Sequence, residues 1–152
     1  RVTVIRGNPS EILSLGSKQS TTKGVDSTSS VQDATLTACH LAKELETILA
    51  ITGPVDLVTD GGRVVHIANG HALMPYVTGT GCTATVAIGA FLAVEDDPLS
   101  ATATALAYFG LAGEVAGQHA GAPGSFMIQM IDALYTITPE ALVAGCKIEA
   151  DR

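Results

Sequence analysis

The chain opens on Arg1-Val2-Thr3-Val4-Ile5, a β-branched run of the kind expected within a buried sheet. The run breaks at Arg6-Gly7-Asn8-Pro9-Ser10-Glu11. There Asn8 suits a helix N-cap, Pro9 the first helical position and Glu11 the carboxylate of a capping box, so a short helix to Leu15 should follow. Residues 17–30 are rich in Ser, Thr and Lys and read as a polar loop. Ser30 with Asp33 then caps a helix whose apolar side is Val31, Ala34, Ala38, Leu41 and Leu45. Residues 48–52 form a short apolar run ending at Gly53-Pro54, the mark of a buried parallel strand and a loop. Two alternating runs, 55–59 and 63–67, flank Asp60-Gly61-Gly62 and predict an antiparallel hairpin. Asn69-Gly70-His71 is a further turn, and Thr78-Gly79-Thr80-Gly81-Cys82 leads into a small-residue helix ending near Val94. Asp96-Asp97-Pro98 starts another helix, from about Leu99 to Ala120. Residues 121–125 are a loop, Phe126 to Tyr135 is helical, and Thr138-Pro139-Glu140 caps a last helix.

Strand, helix, strand, hairpin and then several helices is the order of a three-layer α/β architecture with an antiparallel addition. No internal repeat, linker or low-complexity segment divides the 152 residues, which fit one domain. Apolar residues make up 47% and charged residues 15%, which excludes a disordered tail. Sixteen Gly against three Tyr, three Phe and no Trp suits packed α/β layers better than a β-sandwich. A net charge of −7 with eight Lys and Arg leaves no basic stripe, so neither nucleic acid nor an anionic membrane is an expected partner. The longest weakly polar run, residues 83–94, is too short to span a bilayer. Cys39, Cys82 and Cys146 have no CxxC or Cys/His ligand spacing, so a reduced, soluble, cytoplasmic protein is expected. The start at Arg1, without Met and already inside a strand pattern, suggests the later part of something longer.

The sharpest chemical feature is the Gly79-Thr80-Gly81-Cys82 segment opening a helix. Two glycines let backbone N–H groups approach a ligand, and a helix N-terminus concentrates positive potential, so this is a candidate anion hole for phosphate. It is not a P-loop, because Cys rather than Lys follows the second glycine. Gly79-x-Gly81-x-x-Ala84 also fits a loose dinucleotide fingerprint, and a plain structural turn remains open beside both. Cys82 sits in the helix's first turn, where its thiol should ionise more readily. Arg6, at the end of the first strand, could reach a phosphate. Glu11 could hold Mg²⁺ through water, although its capping-box role alone explains it. Thr52-Gly53 lies where open α/β sheets bind ligands, and the 121–125 loop is a possible second anion-facing turn. None of the four His residues has metal-ligand spacing.

Six segments occur in order: Arg6-Gly7-Asn8-Pro9-Ser10-Glu11, Gly24-Val25-Asp26-Ser27, Thr52-Gly53-Pro54-Val55-Asp56, Asn69-Gly70-His71, Thr78-Gly79-Thr80-Gly81-Cys82 and Pro123-Gly124-Ser125-Phe126. Together they resemble the hydroxyethylthiazole kinase family, ribokinase-like enzymes of thiamine biosynthesis and salvage. Thr-Gly-Thr-Gly-Cys is the discriminating motif, because other ribokinase-like kinases usually carry Asp where Cys82 stands. The resemblance implies a three-layer α/β/α ribokinase-like sandwich lacking its N-terminal part, with residues 1–152 the C-terminal part of one kinase domain. It implies phosphorylation of the primary alcohol of 4-methyl-5-(2-hydroxyethyl)thiazole, with ATP as co-substrate and Mg²⁺ as cofactor. Arg6 and Thr52 would then contact ATP, Gly79 the thiazole substrate, and Glu11 would join the Mg²⁺ set. Cys82 would take the catalytic position, in an assembly expected to be a homotrimer needing the missing segment. A hydroxymethylpyrimidine kinase, an inactive nucleotide-binding fragment and a dinucleotide-binding oxidoreductase are the competing readings.

Overall fold

The computed structural model describes residues 2–17 and 31–151. The chain runs β1 (Val4–Gly7), α1 (Pro9–Ser17), α2 (Val31–Leu45), β2 (Ile48–Ile51), β3 (Asp56–Thr59) and β4 (Val64–Ile67). A single 3-10 turn (Met74–Tyr76) leads to α3 (Thr80–Leu92), α4 (Pro98–His119), α5 (Pro123–Thr136), α6 (Pro139–Gly145) and β5 (Ile148–Ala150). The five strands form one sheet in sequential order, β1-β2-β3-β4-β5. β1 and β2 are parallel, with Val4 opposite Ile48, and the remaining neighbours are antiparallel.

Alternation along β2 decides the layers. Leu49 points to one face, where Ile12 of α1 and Leu41 and Ala42 of α2 cover it. Ile48 and Ala50 point to the other face, into a core with Ile88, Leu106, Phe109 and Phe126 from α3, α4 and α5. A sheet covered on both faces is the three-layer α/β arrangement the sequence predicts. The hairpin forms as expected, with Leu57 opposite His66 and the Asp60 Oδ1 accepting from the Gly62 and Arg63 N–H groups at 2.8 and 2.7 Å. Helix α4 is buried around most of its circumference because α3, α5 and the sheet all pack on it. Its alanines and glycines allow that close approach. No helix among the described residues is long and apolar enough to cross a membrane.

The local helix signals hold. The Glu11 N–H donates to Asn8 Oδ1 at 2.9 Å while the Asn8 N–H donates to Glu11 Oε2 at 2.8 Å, a reciprocal capping box. Asp97 caps α4 through the Ser100 N–H, and Thr138 caps α6 through the Ala141 N–H at 3.2 Å. The Ser30–Asp33 cap, the polar 18–30 loop and the Gly24–Ser27 segment lie outside the described residues or side chains. On α2, Ala38 and Leu41 are buried as the stripe requires.

Three expectations are corrected. Val2 and Thr3 precede β1 instead of belonging to it, and Val2 is 61% exposed. The opening run is only half-buried because β1 has a single strand neighbour among the described residues. Residues 123–125 are the first turn of α5, not part of a loop, since Pro is well placed at a first helical position where no N–H is needed. β5 has no counterpart in the sequence reading. Its three residues are all exposed, and it is a strand only by pairing with β4.

Candidate active site

β1 and β2 run parallel, so Arg6 and Thr52 arrive together at their C-terminal ends, where open α/β sheets bind ligands. Arg6 Nη2 donates to Thr52 Oγ1 at 2.6 Å, and Thr52 is anchored in turn by its N–H to the Gly7 carbonyl at 2.9 Å. The guanidinium lies against the start of α3. A Cβ added at Gly81 would sit 2.6 Å from Arg6 Nη1, so only glycine leaves room for it. The Arg6 Nε is buried without a hydrogen-bond partner. Arg6 as a whole lines the cleft, where a guanidinium is suited to an anionic ligand oxygen.

These groups line a cleft of about 780 Å³ together with Asp56, Thr80 and the segment from Asn69 to Pro75, with α4 beneath. Gly79 caps α3 in a left-handed conformation, φ 94°, and supplies no side-chain hydrogen bond to the first turn. The Thr80 N–H donates to the Val77 carbonyl at 3.4 Å, while no N-cap side chain covers the N–H groups of Gly81 and Cys82, as an anion hole requires. The Thr80 hydroxyl is turned away, donating to the Met74 and Val77 carbonyls and tying the helix start to the 3-10 turn.

The structure brings Arg6, Thr52, Thr80 and Gly81 into the cleft lining, whereas Gly79, Cys82 and Glu11 are not part of it. Cys82 is exposed in the first turn of α3. The Glu11 carboxylate is committed to the capping box at the start of α1, beside the cleft residue Asn8. Among the described residues no three His, Cys, Asp or Glu side chains are grouped to hold a metal ion. Glu11 uses Oε2 in the capping box, so its other carboxylate oxygen is the one that could meet, through water, a Mg²⁺ carried in on a polyphosphate. Of the remaining sulfur and imidazole groups, Cys39 Sγ sits 3.5 Å from Thr59 Oγ1 and His66 lies 3.4 Å from Asp151. His71 stacks on Phe126 with ring centroids 5.4 Å apart. A second hollow of about 540 Å³, at the other end of the β1–β2 pair, collects none of the expected residues.

Two features of the cleft escaped the sequence reading. Asp56 Oδ1 accepts the Gly53 N–H at 2.8 Å. Burial pushes this carboxyl up to about 6, against the lowering pull of that N–H and of the Arg6 charge. Asp56 stands in the Thr52–Asp56 segment that carries the resemblance, where it was given no role, and its place at the start of an alternating strand was the other signal. The second is the support behind Asn69. Its side chain donates to Glu114 Oε1 at 3.0 Å and to the Gly145 carbonyl at 2.9 Å, and accepts the Lys147 N–H at 2.7 Å. Lys147 Nζ also pairs with Glu114 at 2.9 Å. Burial alone would raise the Glu114 carboxyl, but Lys147, the Gly70 N–H and Asn69 hold it below its ordinary value.

The profile of the hydroxyethylthiazole kinase family matches residues 1–140. A hydroxyethylthiazole kinase of Desulfotalea psychrophila is 66% identical over 149 residues, which span 98% of this chain and 55% of that protein. Its counterpart in Cereibacter sphaeroides is 52% identical over 148 residues, covering 97% and 56%. The solved structure of a hydroxyethylthiazole kinase protein from Pyrococcus horikoshii superposes with a TM-score of 0.84 at 36% identity, covering 99% of this chain and 55% of that one. The chain thus spans about half the length of the relatives it matches.

Proposed function

The chain belongs to the hydroxyethylthiazole kinase family, and from that premise we propose that it forms the nucleotide-facing part of an ATP-dependent kinase for the primary alcohol of hydroxyethylthiazole. The carrying observation is the meeting of Arg6, Thr52 and the uncapped start of α3 in one cleft. In this reading residues 1–152 are the C-terminal part of one ribokinase-like domain, acting in the cytoplasm in thiamine biosynthesis or salvage. The working assembly is a homotrimer that includes the N-terminal segment found in longer relatives.

The alcohol oxygen attacks the γ-phosphorus in line. A bond forms from that oxygen to phosphorus, the bond from phosphorus to the β–γ bridging oxygen breaks, and ADP leaves with the bridging electron pair. Cys82, at the first turn of α3, takes the alcohol proton when it is the thiolate and becomes a neutral thiol, or orients the alcohol when it is the thiol. The backbone N–H groups of Gly81 and Cys82 and the Arg6 guanidinium offset negative charge on the transferring group, where most catalysis of phosphoryl transfer lies. Mg²⁺, when bound with the nucleotide, supplies further positive charge at the phosphates, with Glu11 as its water-mediated partner. Thr52 holds Arg6 in place, and Gly79 borders the thiazole.

The test is transfer itself. The full-length protein is incubated with ATP, Mg²⁺ and the thiazole alcohol, and the phosphorylated thiazole is followed by phosphorus NMR. Equimolar ADP and thiazole phosphate support the reading. Turnover of a pyrimidine alcohol in its place would move the substrate assignment to the hydroxymethylpyrimidine kinases. Absence of any transfer, with NAD(P) binding instead, would sink it.

A further inference from the structure

We propose that Asp56 is a positioning residue for the phosphate-binding side of the cleft: its carboxylate closes the Thr52-Gly53-Pro54 turn and holds the Arg6 guanidinium against Gly81. This rests on the kinase reading above, because it takes Arg6 to be the group that meets the nucleotide phosphates. Two hydrogen bonds and the turn between them connect the residues. Gly53 N–H donates to Asp56 Oδ1 at 2.8 Å, the turn carries Thr52, and Thr52 Oγ1 receives Arg6 Nη2 at 2.6 Å.

The turn does not need a carboxylate to form. Pro54 fixes its own φ and restricts Gly53 before it, so the backbone is already stiff. Asn, Ser or Thr could accept the same N–H with no charge to desolvate. A half-buried carboxylate is the costlier choice, and what it adds is charge facing Arg6 from β3. Asp56 is also ill suited to touch the ligand, since a carboxylate against a polyphosphate is repulsive. Its action therefore passes through Arg6, whose Nε stays buried and unpaired while Nη2 is fixed on Thr52. A guanidinium held in its binding orientation before the phosphate arrives loses less rotamer freedom on binding.

The test uses the full-length protein with Asp56→Asn, which keeps the acceptor for Gly53 and loses the charge. Asp56→Ser serves as a second, smaller acceptor, and thermal melts confirm that each variant is folded. The Kd for Mg·ATP from calorimetry and both KM values are measured. Asp56→Asn should weaken ATP by about fivefold to tenfold and lower kcat with it, since Arg6 also meets the transferring group, while the thiazole KM stays within about twofold. In an Arg6→Ala background the same substitution should change the ATP Kd by less than about twofold, since the residue it acts through is gone. Unchanged ATP affinity in Asp56→Asn overturns the proposal, as does an equal loss in the Arg6→Ala background. Parallel weakening of both substrates assigns Asp56 to fold support and overturns it too. A parent protein that binds Mg·ATP without phosphorylating the thiazole defeats the kinase reading alone, because the calorimetric cycle still decides on Asp56.

Discussion

At the scale of single residues the cleft depends on one missing methyl group. Gly81 is helical and its φ is negative, so alanine there strains nothing in the backbone and favours the helix by about 1 kcal/mol. The added methyl would meet only the end of the Arg6 side chain, which can swing aside. Gly81→Ala should therefore keep or raise the melting temperature while raising the KM for ATP several-fold. A variant that loses stability and ATP binding together would show that Gly81 matters for packing instead. Cys82 is tested in the opposite sense. In the proposed reaction Cys82, the neighbour of the cleft residue Gly81, takes the proton of the attacking alcohol, and such assistance is worth about 10²–10⁴-fold. Cys82→Ala should lower kcat within that range with little change in either KM, since the backbone anion hole survives. Cys82→Asp should retain activity. Parent-like turnover by Cys82→Ala would leave the anion hole and the metal to carry the reaction. Neither the Arg6–Gly81 contact nor the Asp56 environment was legible beforehand, because the first joins residues 75 positions apart (81 − 6) and the second is a consequence of burial.

At the scale of elements, local chemistry was the readable part. Asn8 with Glu11, Asp97 with Pro98, and Thr138 with Pro139 each mark a helix start whose hydrogen bonds close within three residues. Those signals need no knowledge of the rest of the chain. β5 needs all of it, because Ile148-Glu149-Ala150 becomes a strand only against Val65, His66 and Ile67. The α5 start was misplaced because Gly121-Ala122-Pro123-Gly124 has loop composition even though Pro123 opens a helix. The α3 start offers an element-level test. Gly79 holds φ 94° with open space around its Cβ position, so Gly79→Ala meets no clash and carries only the cost of a left-handed backbone, about 1–2 kcal/mol. The expected result is a lower melting temperature with weakened ATP binding, as the first-turn N–H groups shift. An unchanged melt would mean that the turn relaxes freely and is no fixed anion hole.

For the whole molecule, Asp56 links the cleft to stability. Its folded pKa of about 6 exceeds the ordinary value of 3.8, so the folded state favours the protonated form. That stabilisation is fully present below about pH 4 and is lost as pH rises through 6, by about 1–3 kcal/mol for a half-buried group. Asp56→Asn should remove this slope, so its advantage in chemical denaturation should grow between pH 4 and pH 7. A difference independent of pH would mean that the carboxyl is not desolvated. The sheet gives a second global prediction. Among the described residues β1 is hydrogen-bonded along one side only, and Ile5 and Val4 lie on that edge strand. We therefore expect the 152-residue polypeptide, expressed by itself, to associate or precipitate, and co-expression with the N-terminal segment of a longer relative to relieve this. Sedimentation showing a monodisperse, sharply melting monomer would contradict it. The layered architecture was legible from hydrophobic alternation, whereas the pairing of β5 with β4 at the far edge was not, since pairing order is not a local property.

Lys147 gives the tail of the chain a hold on the cleft. Its main-chain N–H grips Asn69, its ammonium grips Glu114, and Glu114 in turn accepts the N–H of Gly70. The last strand is thus a tether whose far end is knotted to the cleft wall. Peeling β5 from β4 would therefore draw on Asn69, Glu114 and Gly70, so the state of that short strand is felt at the ligand-facing loop.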